Sequence, residues 1–246
     1  MAEAPRTVVL TGASRGIGHA TVRRFHAEGW RVITCSREAL PPECKGSDGT
    51  HYHIPADLAE VASVERFVAE ANAIIGAAPL HALVNNAGVS PKSPLQERLG
   101  CLNGDLAQWR GVFELNLFAP ITLARGFAPA LTRGKGAIVN ITSIAGSRVH
   151  PFAGSAYSTS KAALTALTRQ MAAEFAHLGV RANAVAPGEI DTAILSPDTE
   201  QLIPRIPLQR LGVPDDVAGC VYFLCGADAA YITGVEIPVN GGQDLF

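Results

Sequence analysis

Short apolar runs alternate with longer amphipathic stretches along almost the whole chain. The apolar runs are rich in β-branched residues, are bounded by Gly, Pro or Asn, and occupy residues 7–10, 31–35, 81–84, 137–142, 180–186 and 235–239. Helical spacing of apolar positions fills the intervals at residues 16–28, 59–76, 105–131, 156–178 and 214–226. Strands that alternate with helices predict βαβ units with right-handed crossovers, and therefore a parallel sheet with helices on both faces.

The alternation runs through the chain without a linker, a repeat or a block of like charge. We therefore predict one α/β domain over residues 1–246, a doubly wound parallel sheet of about seven strands. Two stretches remain irregular, at residues 89–104 and 189–212, and both follow the carboxyl end of a strand, where open α/β sheets bind ligands. Residues 189–212 combine prolines and mixed polarity, which predicts a substrate lid near that position.

Composition narrows the class of protein further. Hydrophobic residues make up 48% of the chain and charged residues 17%, which is typical of a folded globular protein, and the formal net charge of -2 argues against nucleic-acid binding. No run of 18 apolar residues predicts a membrane span, and the amino terminus does not resemble a signal peptide. The five cysteines have no paired short spacing, which favours a reducing, cytoplasmic location over a disulfide framework.

No metal site is predicted. His51 and His53 alternate along a strand and so face the same side, but without further ligands nearby they are more typical of polar positions at a sheet edge.

A glycine-rich turn follows the first strand, in the segment TGASRGIG at residues 11–18. The spacing of Gly12, Gly16 and Gly18 differs from the commoner G-x-G-x-x-G fingerprint, but it meets the same need: a tight turn at a helix amino terminus with room for a pyrophosphate. Standing alone, such a cluster is equally compatible with a simple loop. Its place after the first strand favours nucleotide binding.

The second strand ends at Ser36, where a dinucleotide site usually carries an acidic residue for the ribose hydroxyls. Arg37 follows it and Arg15 lies in the glycine turn. Either arginine alone is typical of a solvated surface charge. Together with the missing carboxylate they indicate a 2′-phosphate, and we predict that NADP(H) is favoured over NAD(H).

Tyr157 and Lys161 are four residues apart in SAYSTSKAAL, so they lie on one face of a predicted helix. This pair by itself is either surface decoration or an acid with a cation that tunes it. The order of the surrounding motifs is similar to that of the short-chain dehydrogenase/reductase family, over essentially the whole chain. The motifs are TGASRGIG at 11–18, NNAG at 85–88, Asn116, Ser143, YSTSK at 157–161 and PG at 187–188.

The resemblance implies a Rossmann fold and a carbonyl/alcohol oxidoreductase, and the carboxyl-terminal segment looks closest to the 3-oxoacyl-carrier-protein reductase type. It assigns catalysis to Asn116, Ser143, Tyr157 and Lys161, with Tyr157 as general acid, Ser143 holding the carbonyl oxygen, Lys161 also on the nicotinamide ribose and Asn116 holding a water. A free phenol has a pKa near ~10, and we expect the positive charge of Lys161 to lower it.

Further cofactor contacts are implied by the same resemblance. Asp57 would bind the adenine amino group, although it is also placed to cap a helix. The full set of expected cofactor residues is Gly12, Ser14, Arg15, Gly16, Ile17, Gly18, Ser36, Arg37, Asp57, Leu58, Asn86, Ala87, Gly88, Tyr157, Lys161, Pro187, Gly188, Ile190 and Thr192.

The substrate is less sharply defined. The resemblance predicts reduction of 3-oxoacyl thioesters. Oxidation of sugars, polyols or other small alcohols is the alternative, and a redox sensor without turnover is less favoured. An acidic acyl carrier protein needs a basic docking surface. Arg125, Arg133 and Lys135 are candidates to form part of it. The segment AHLG at the end of the 156–178 helix lacks the basic residue that carrier-protein reductases often have there.

The family resemblance also implies a homotetramer. Arg148 and His150 lie between Ser143 and Tyr157, where they could face the substrate, but they are interpreted as loop residues first.

Overall fold

Seven parallel strands build the centre of the molecule. The computed structural model describes residues 5–37, 50–94, 97–193, 195 and 199–245. The strands are β1 (Thr7–Thr11), β2 (Arg31–Ser36), β3 (His51–Pro55), β4 (Ala82–Asn85), β5 (Ala137–Ile141), β6 (Arg181–Pro187) and β7 (Glu236–Val239). Their order is β3-β2-β1-β4-β5-β6-β7, and every neighbouring pair is parallel. The predicted doubly wound Rossmann sheet is therefore confirmed.

In the described ranges, six α-helices connect the strands. They are α1 (Gly16–Ala27), α2 (Val61–Ile75), α3 (Leu106–Phe113), α4 (Ala119–Gly134), α5 (Ser155–Phe175) and α6 (Pro214–Cys225). α1 packs on α6, and α2 packs on α4. None of the helices in the described ranges is long and apolar enough to cross a membrane.

Both faces of the central strands are buried, which explains why these strands read as continuous apolar runs. Along β1 the side chains alternate: Val9 joins a core with Phe67 and Phe127, while Val8 joins a second core with Phe25 on the opposite face. Phe67 and Phe127 meet edge to face with ring centroids 6.1 Å apart. The sheet is thus a rigid layer whose strand ends hold the following loops in place.

The predicted helix over residues 105–131 is wrong in one respect, because it is two α-helices joined by a π-helical turn at Glu114–Phe118. Pro120 explains part of this geometry: it has no amide hydrogen, so the carbonyl of Asn116 lacks the donor at i+4 that an α-helix would supply. π turns of this kind often occur at functional sites. This turn places Asn116, which is fully buried, at the centre of the helix pair.

The edge strand β3 confirms the interpretation of its two histidines as polar edge positions. His51 Nε2 and His53 Nδ1 each lie 2.9 Å from Thr34 Oγ1 on β2, and His51 Nδ1 lies 3.0 Å from His26 Nε2. Among the described residues no group of three potential metal ligands is assembled.

Candidate active site

A cleft of about 770 Å³ opens at the carboxyl ends of the strands, beside the point where the chain order of the sheet reverses at β1 and β4. Every residue expected to contact the cofactor lines this cleft, as do Ser143, Tyr157 and Lys161. Of the predicted set only Asn116 lies outside the lining, buried behind it. The fold thus brings motifs from six separate strand ends to one place.

The glycine turn between β1 and α1 is shaped by close backbone contacts. Gly12 has a φ of 69°, and its amide donates to the carbonyl of Cys35 at 2.8 Å. Gly18 has an ordinary helical backbone, but a Cβ at this position would lie 2.0 Å from the carbonyl oxygen of Gly12. The turn therefore has space for a ligand on its open side and none for a side chain on its inner side.

Gly18→Ala is expected to displace the glycine turn, because the new methyl group meets backbone rather than a movable side chain. Overpacking of this kind costs about 1–3 kcal/mol of stability, and we expect the Kd for dinucleotide to rise about tenfold or more. Urea unfolding and a fluorescence titration with NADPH measure the two effects. Gly219→Ala is the matched control, since a Cβ there meets nothing within 4 Å on α6, and it is expected to stabilise by about 0.5–1 kcal/mol. Equal behaviour of the two variants would contradict the steric argument.

Asn86 braces the glycine turn from the end of β4. Its Nδ2 donates to the carbonyls of Thr11 and Gly12, both at 2.9 Å, and the amides of Asn86 and Ala87 donate to Thr11 Oγ1 at 3.0 Å. The side-chain amide group therefore hydrogen-bonds to the protein backbone. Asn86 lines the cleft mainly by holding the turn in shape.

The adenosine end of the cleft is formed by Ser36, Arg37, Arg15 and Asp57. Both arginines are exposed, and in the described part of the chain neither forms a salt bridge. Asp57 does not cap α2, whose N-cap is Glu60; its Oδ1 instead accepts from the amide of Ala59 at 3.0 Å. The capping alternative for Asp57 is therefore wrong, and its carboxylate shapes the turn that borders the cleft.

Tyr157 and Lys161 lie on one face of α5, as the spacing predicts. Lys161 Nζ is 5.8 Å from the centroid of the Tyr157 ring and donates to the carbonyl of Ile141 at 2.7 Å. Ser143 follows β5 and hydrogen-bonds the Tyr157 phenol. A phenol, a hydroxyl and an ammonium therefore converge where β5 ends.

The pKa of Tyr157 departs from the expectation. Burial of the phenol raises its pKa, the hydrogen bond from Ser143 lowers it, and the nearby charge of Glu189 raises it again. The net effect of these three influences is to raise the pKa of Tyr157. The lowering of this pKa that we expected from the charge of Lys161 is therefore not found in the protein without a cofactor. The phenol is protonated at neutral pH, which is the form that a general acid needs.

Burial lowers the pKa of Lys161 to about 8 from its ordinary value of 10.5. Between these two values the unfolded chain holds more protons than the folded protein, so stability rises with pH. We expect the free energy of unfolding of the wild type, relative to Lys161→Met, to increase by about 2 kcal/mol from pH 8 to pH 10. Urea unfolding of both proteins at several pH values measures this difference. A difference that stays constant or falls with pH would contradict the burial of the charged lysine, and Lys135→Met, at an exposed position, is the control.

Asn116 ties the π turn to the site. Its Nδ2 donates to Ser160 Oγ at 3.0 Å and to the carbonyl of Val89 at 3.1 Å, and its Oδ1 accepts from the amide of Val89 at 2.9 Å. The side chain thus joins the loop after β4 to α5, one residue before Lys161. Its backbone carbonyl lacks the amide donor at i+4 that an α-helix would supply, because residue 120 is a proline.

Three polar residues beside Ser143 and Tyr157 were not among the predicted site residues. Lys92, His150 and Glu189 line a recess of about 90 Å³ that adjoins the phenol. His150 was interpreted as a loop residue, yet it is buried against Glu189. The sequence signals were the position of all three in or next to segments that follow strands β4, β5 and β6 and, for His150, its place between Ser143 and Tyr157.

The stretch predicted as a lid begins and ends against the cleft. Its two ends are joined by a parallel bridge between Ile190 and Gly212, and residues 199–205 form a 3₁₀-helix. Residues 194 and 196–198 lie outside the described residues. Closure of this stretch over a ligand stays a prediction.

Comparison with known proteins identifies the class of enzyme. A family model described as enoyl-(acyl carrier protein) reductase matches residues 12–244. The chain is 53% identical to Protein FixR of Bradyrhizobium diazoefficiens, over 98% of this chain and 87% of that protein. It is 36% identical to a galactitol 2-dehydrogenase (L-tagatose-forming) of Cereibacter sphaeroides, over 96% of this chain and 94% of that one. Identity to a 3-oxoacyl-[acyl-carrier-protein] reductase of Synechocystis is 33%, over 98% of both chains.

Solved structures agree with these relatives. A short-chain dehydrogenase/reductase from Brucella ovis, in complex with a partially ordered NAD, superposes with a TM-score of 0.81 at 48% identity, covering 96% of this chain and all of that one. A blue fluorescent protein from a metagenomic library, in complex with NADPH, gives 0.85 at 32% identity over 97% and 98% of the two chains. Ligand-free aldohexose dehydrogenase of Thermoplasma acidophilum gives 0.85 at 31% identity over 98% and 95%. The chain belongs to the short-chain dehydrogenase/reductase family, oxidoreductases that act on CH–OH groups.

Proposed function

We propose that this protein is an NADP(H)-dependent oxidoreductase that interconverts a ketone and a secondary alcohol. The observation that carries the proposal is the meeting of Ser143, Tyr157 and Lys161 in the cleft that also contains the glycine turn. The positive φ of Gly12 and the tight packing at Gly18 fit a pyrophosphate on the open side of that turn. When bound, the nicotinamide dinucleotide supplies or accepts the hydride.

The chain's own residues handle the proton. During reduction Tyr157 donates its phenolic proton to the carbonyl oxygen, and during alcohol oxidation the same oxygen takes the proton back. Ser143 hydrogen-bonds the reacting oxygen and holds it beside the phenol. Lys161 stabilises the phenolate by its charge, and Asn116 holds a water by its backbone carbonyl so that protons can pass between Lys161 and solvent.

The choice of NADP(H) over NAD(H) rests on three residues. Ser36 presents a hydroxyl rather than a carboxylate at the end of β2, and Arg15 and Arg37 are exposed on the lining of the same cleft. Solved relatives bind NAD, NADH or NADPH, so their names do not decide between the two. Charge at the ribose 2′ position is what supports NADP(H).

Two substrate classes compete within this function: 3-oxoacyl thioesters and polyols or sugars. Relatives of both kinds are similarly close to this chain: the 3-oxoacyl-[acyl-carrier-protein] reductase is 33% identical to it and the galactitol 2-dehydrogenase 36%. The basic residues considered for acyl-carrier docking do not favour the first class. Arg133 already donates hydrogen bonds to the carbonyls of Gly76 and Ala78. The end of α4 leads into the amino end of β5, which lies at the opposite end of the strands from the cleft.

Turnover assays test the proposed function. Acetoacetyl thioesters, sugars, polyols and steroid ketones are offered with NADPH or NADP⁺, and separately with NADH or NAD⁺. We expect one class to be turned over and NADP(H) to be the preferred partner. A protein that binds dinucleotide but turns over no member of the panel with either cofactor would support the redox sensor instead.

We also propose a homotetramer built through α4, α5 and β7. Phe118, next to α4, is 48% exposed, and the exposed positions of α5 include the small residues Thr159, Ala166 and Ala173, which permit close helix packing. Sedimentation velocity is expected to give four times the chain mass of 25.7 kDa. A monomer that keeps full activity on dilution would contradict this assembly.

The cytoplasmic location predicted from cysteine usage stays a prediction. Four cysteines in the described ranges are free thiols.

A further inference from the structure

The recess beside the catalytic phenol combines apolar walls, which include Ile144, Phe152 and Leu195, with a group of polar side chains. It is lined by Ser143 and Tyr157 together with Lys92, His150 and Glu189. Each of the last three comes from a different loop, after β4, β5 and β6 respectively. An acyl chain entering here would have to displace water from a buried carboxylate, which is unfavourable.

Glu189 is held in a fixed position. Its side chain is 7% exposed, and its Oε1 lies 2.5 Å from His150 Nε2. His150 Nδ1 accepts from the amide of Phe152 at 3.3 Å, so the Nε2 atom of His150 carries the hydrogen that reaches the carboxylate. The backbone of Glu189 is fixed as well, by its carbonyl to the amide of Gly212 at 2.9 Å and by its amide to Gln243 Oε1 at 3.3 Å.

One carboxylate oxygen remains available. Within the described ranges, Glu189 Oε2 has no hydrogen-bond partner, while Oε1 is engaged by His150. A carboxylate accepts hydrogen bonds and donates none, so the group that fits Oε2 is a hydroxyl or an ammonium of the substrate.

The charge of the recess favours the hydroxyl. Lys92 and Glu189 interact electrostatically, and Lys92 Nζ donates to the carbonyl of Phe152. The negative charge of Glu189 is therefore already offset by a neighbouring cation and by a hydrogen bond from His150. An uncharged donor completes this arrangement, whereas a substrate carboxylate would be repelled by Glu189.

We propose that Glu189 is a specificity-determining residue that accepts a hydrogen bond from a hydroxyl next to the reacting carbon, so that the substrate is a polyol or sugar, or the corresponding hydroxyketone. This inference rests on the proposed function and names the substrate class of the same site. Lys92 donates to a further substrate oxygen, and His150 is a positioning residue that aims the carboxylate. Relatives named galactitol 2-dehydrogenase and L-fucose dehydrogenase act on substrates of this chemistry.

The sharpest test compares two alcohols that differ by one hydroxyl group, butane-2,3-diol and butan-2-ol, with galactitol as a longer polyol. We expect the wild type to have the higher kcat/KM for the diol. In Glu189→Gln, the ratio of kcat/KM for diol to that for butan-2-ol is expected to fall about 10- to 100-fold, because a hydrogen bond to a charged acceptor is lost. Glu174→Gln on the exposed side of α5 is the matched control and should keep the wild-type ratio.

A binding measurement separates specificity from folding. Circular dichroism establishes that Glu189→Gln is folded, and the rise in melting temperature with galactitol in the presence of NADP⁺ reports binding without turnover. We expect this rise in the wild type and in Glu174→Gln and its loss in Glu189→Gln. His150→Gln should weaken it less, since an amide donor still reaches the carboxylate.

The outcomes also separate this inference from the proposed function. If acetoacetyl thioester is turned over far better than any polyol, or if Glu189→Gln keeps the wild-type diol ratio, the substrate class is wrong while the oxidoreductase stands. If the wild type turns over no alcohol or ketone of the panel with either cofactor, the proposed function fails and the inference fails with it.

Discussion

Tyr157→Phe is expected to lower kcat by about 10²- to 10⁴-fold, because it removes the only proton that the phenol can transfer. The ring remains, so packing on α5 and dinucleotide binding should be preserved. Ser143→Ala is expected to impair turnover in the same direction, since it removes the hydroxyl that hydrogen-bonds the phenol and the reacting oxygen. Steady-state kinetics across pH, with NADPH binding followed by fluorescence, measure both effects.

Tyr231→Phe is the control for loss of a phenolic hydroxyl as such. Tyr231 is fully exposed, and its variant should match the wild type in kcat and in binding. If Tyr157→Phe instead retained the wild-type kcat over the whole pH range, another group would be the proton donor.

The second large effect concerns the cofactor. Ser36→Asp combined with Arg37→Ala is expected to reverse a preference for NADPH, because a carboxylate at the end of β2 repels the 2′-phosphate and accepts hydrogen bonds from a free ribose. Each charge-assisted bond to the phosphate contributes about 1.5–3 kcal/mol, so the ratio of kcat/KM for NADPH to that for NADH should fall about 100-fold or more. The measurement is this ratio in both proteins.

Single variants assign the effect to charge. Ser36→Asn has the size of the aspartate without its charge and should change the ratio far less than Ser36→Asp. Arg15→Ala should weaken NADPH more than NADH, whereas Arg169→Ala on α5, outside the cleft, should change neither. A wild type that favours NADH, or a double variant with an unchanged ratio, would show that these side chains do not contact the phosphate.

Much of the fold follows from the sequence because the strands are buried on both faces. A strand such as β1, with all five residues buried, appears as an unbroken apolar run between turn residues, which is a strong local signal. The expected cofactor residues could be placed for a related reason. Apart from Tyr157 and Lys161 on α5, they lie at or soon after the carboxyl end of a strand, and parallel strands bring these ends to one edge. The roles of several of them were implied by the family resemblance.

The parts that the sequence did not predict depend on contacts between distant segments. The π turn at residues 114–118 interrupts a hydrophobic pattern whose helical period continues on both sides, and only Pro120 hints at it. Lys92, His150 and Glu189 belong to three loops with no shared motif, so their meeting is visible only in three dimensions. The direction of the Tyr157 pKa likewise depends on burial, which outweighs the hydrogen bond from Ser143.

The π turn also limits how the length of this segment can vary. A π bulge holds one residue more than the α-helix around it, so deleting one residue from 114–118 would let α3 and α4 merge into a continuous α-helix. The wide turn absorbs the additional residue, so this deletion would leave α3 and α4 facing nearly the same neighbours as before. A deletion inside α3 or α4 would instead rotate the helix beyond it by about 100°, because each residue of an α-helix advances the chain by that angle. Such a deletion would change what the exposed position Leu106 faces, whereas one within the π turn would not.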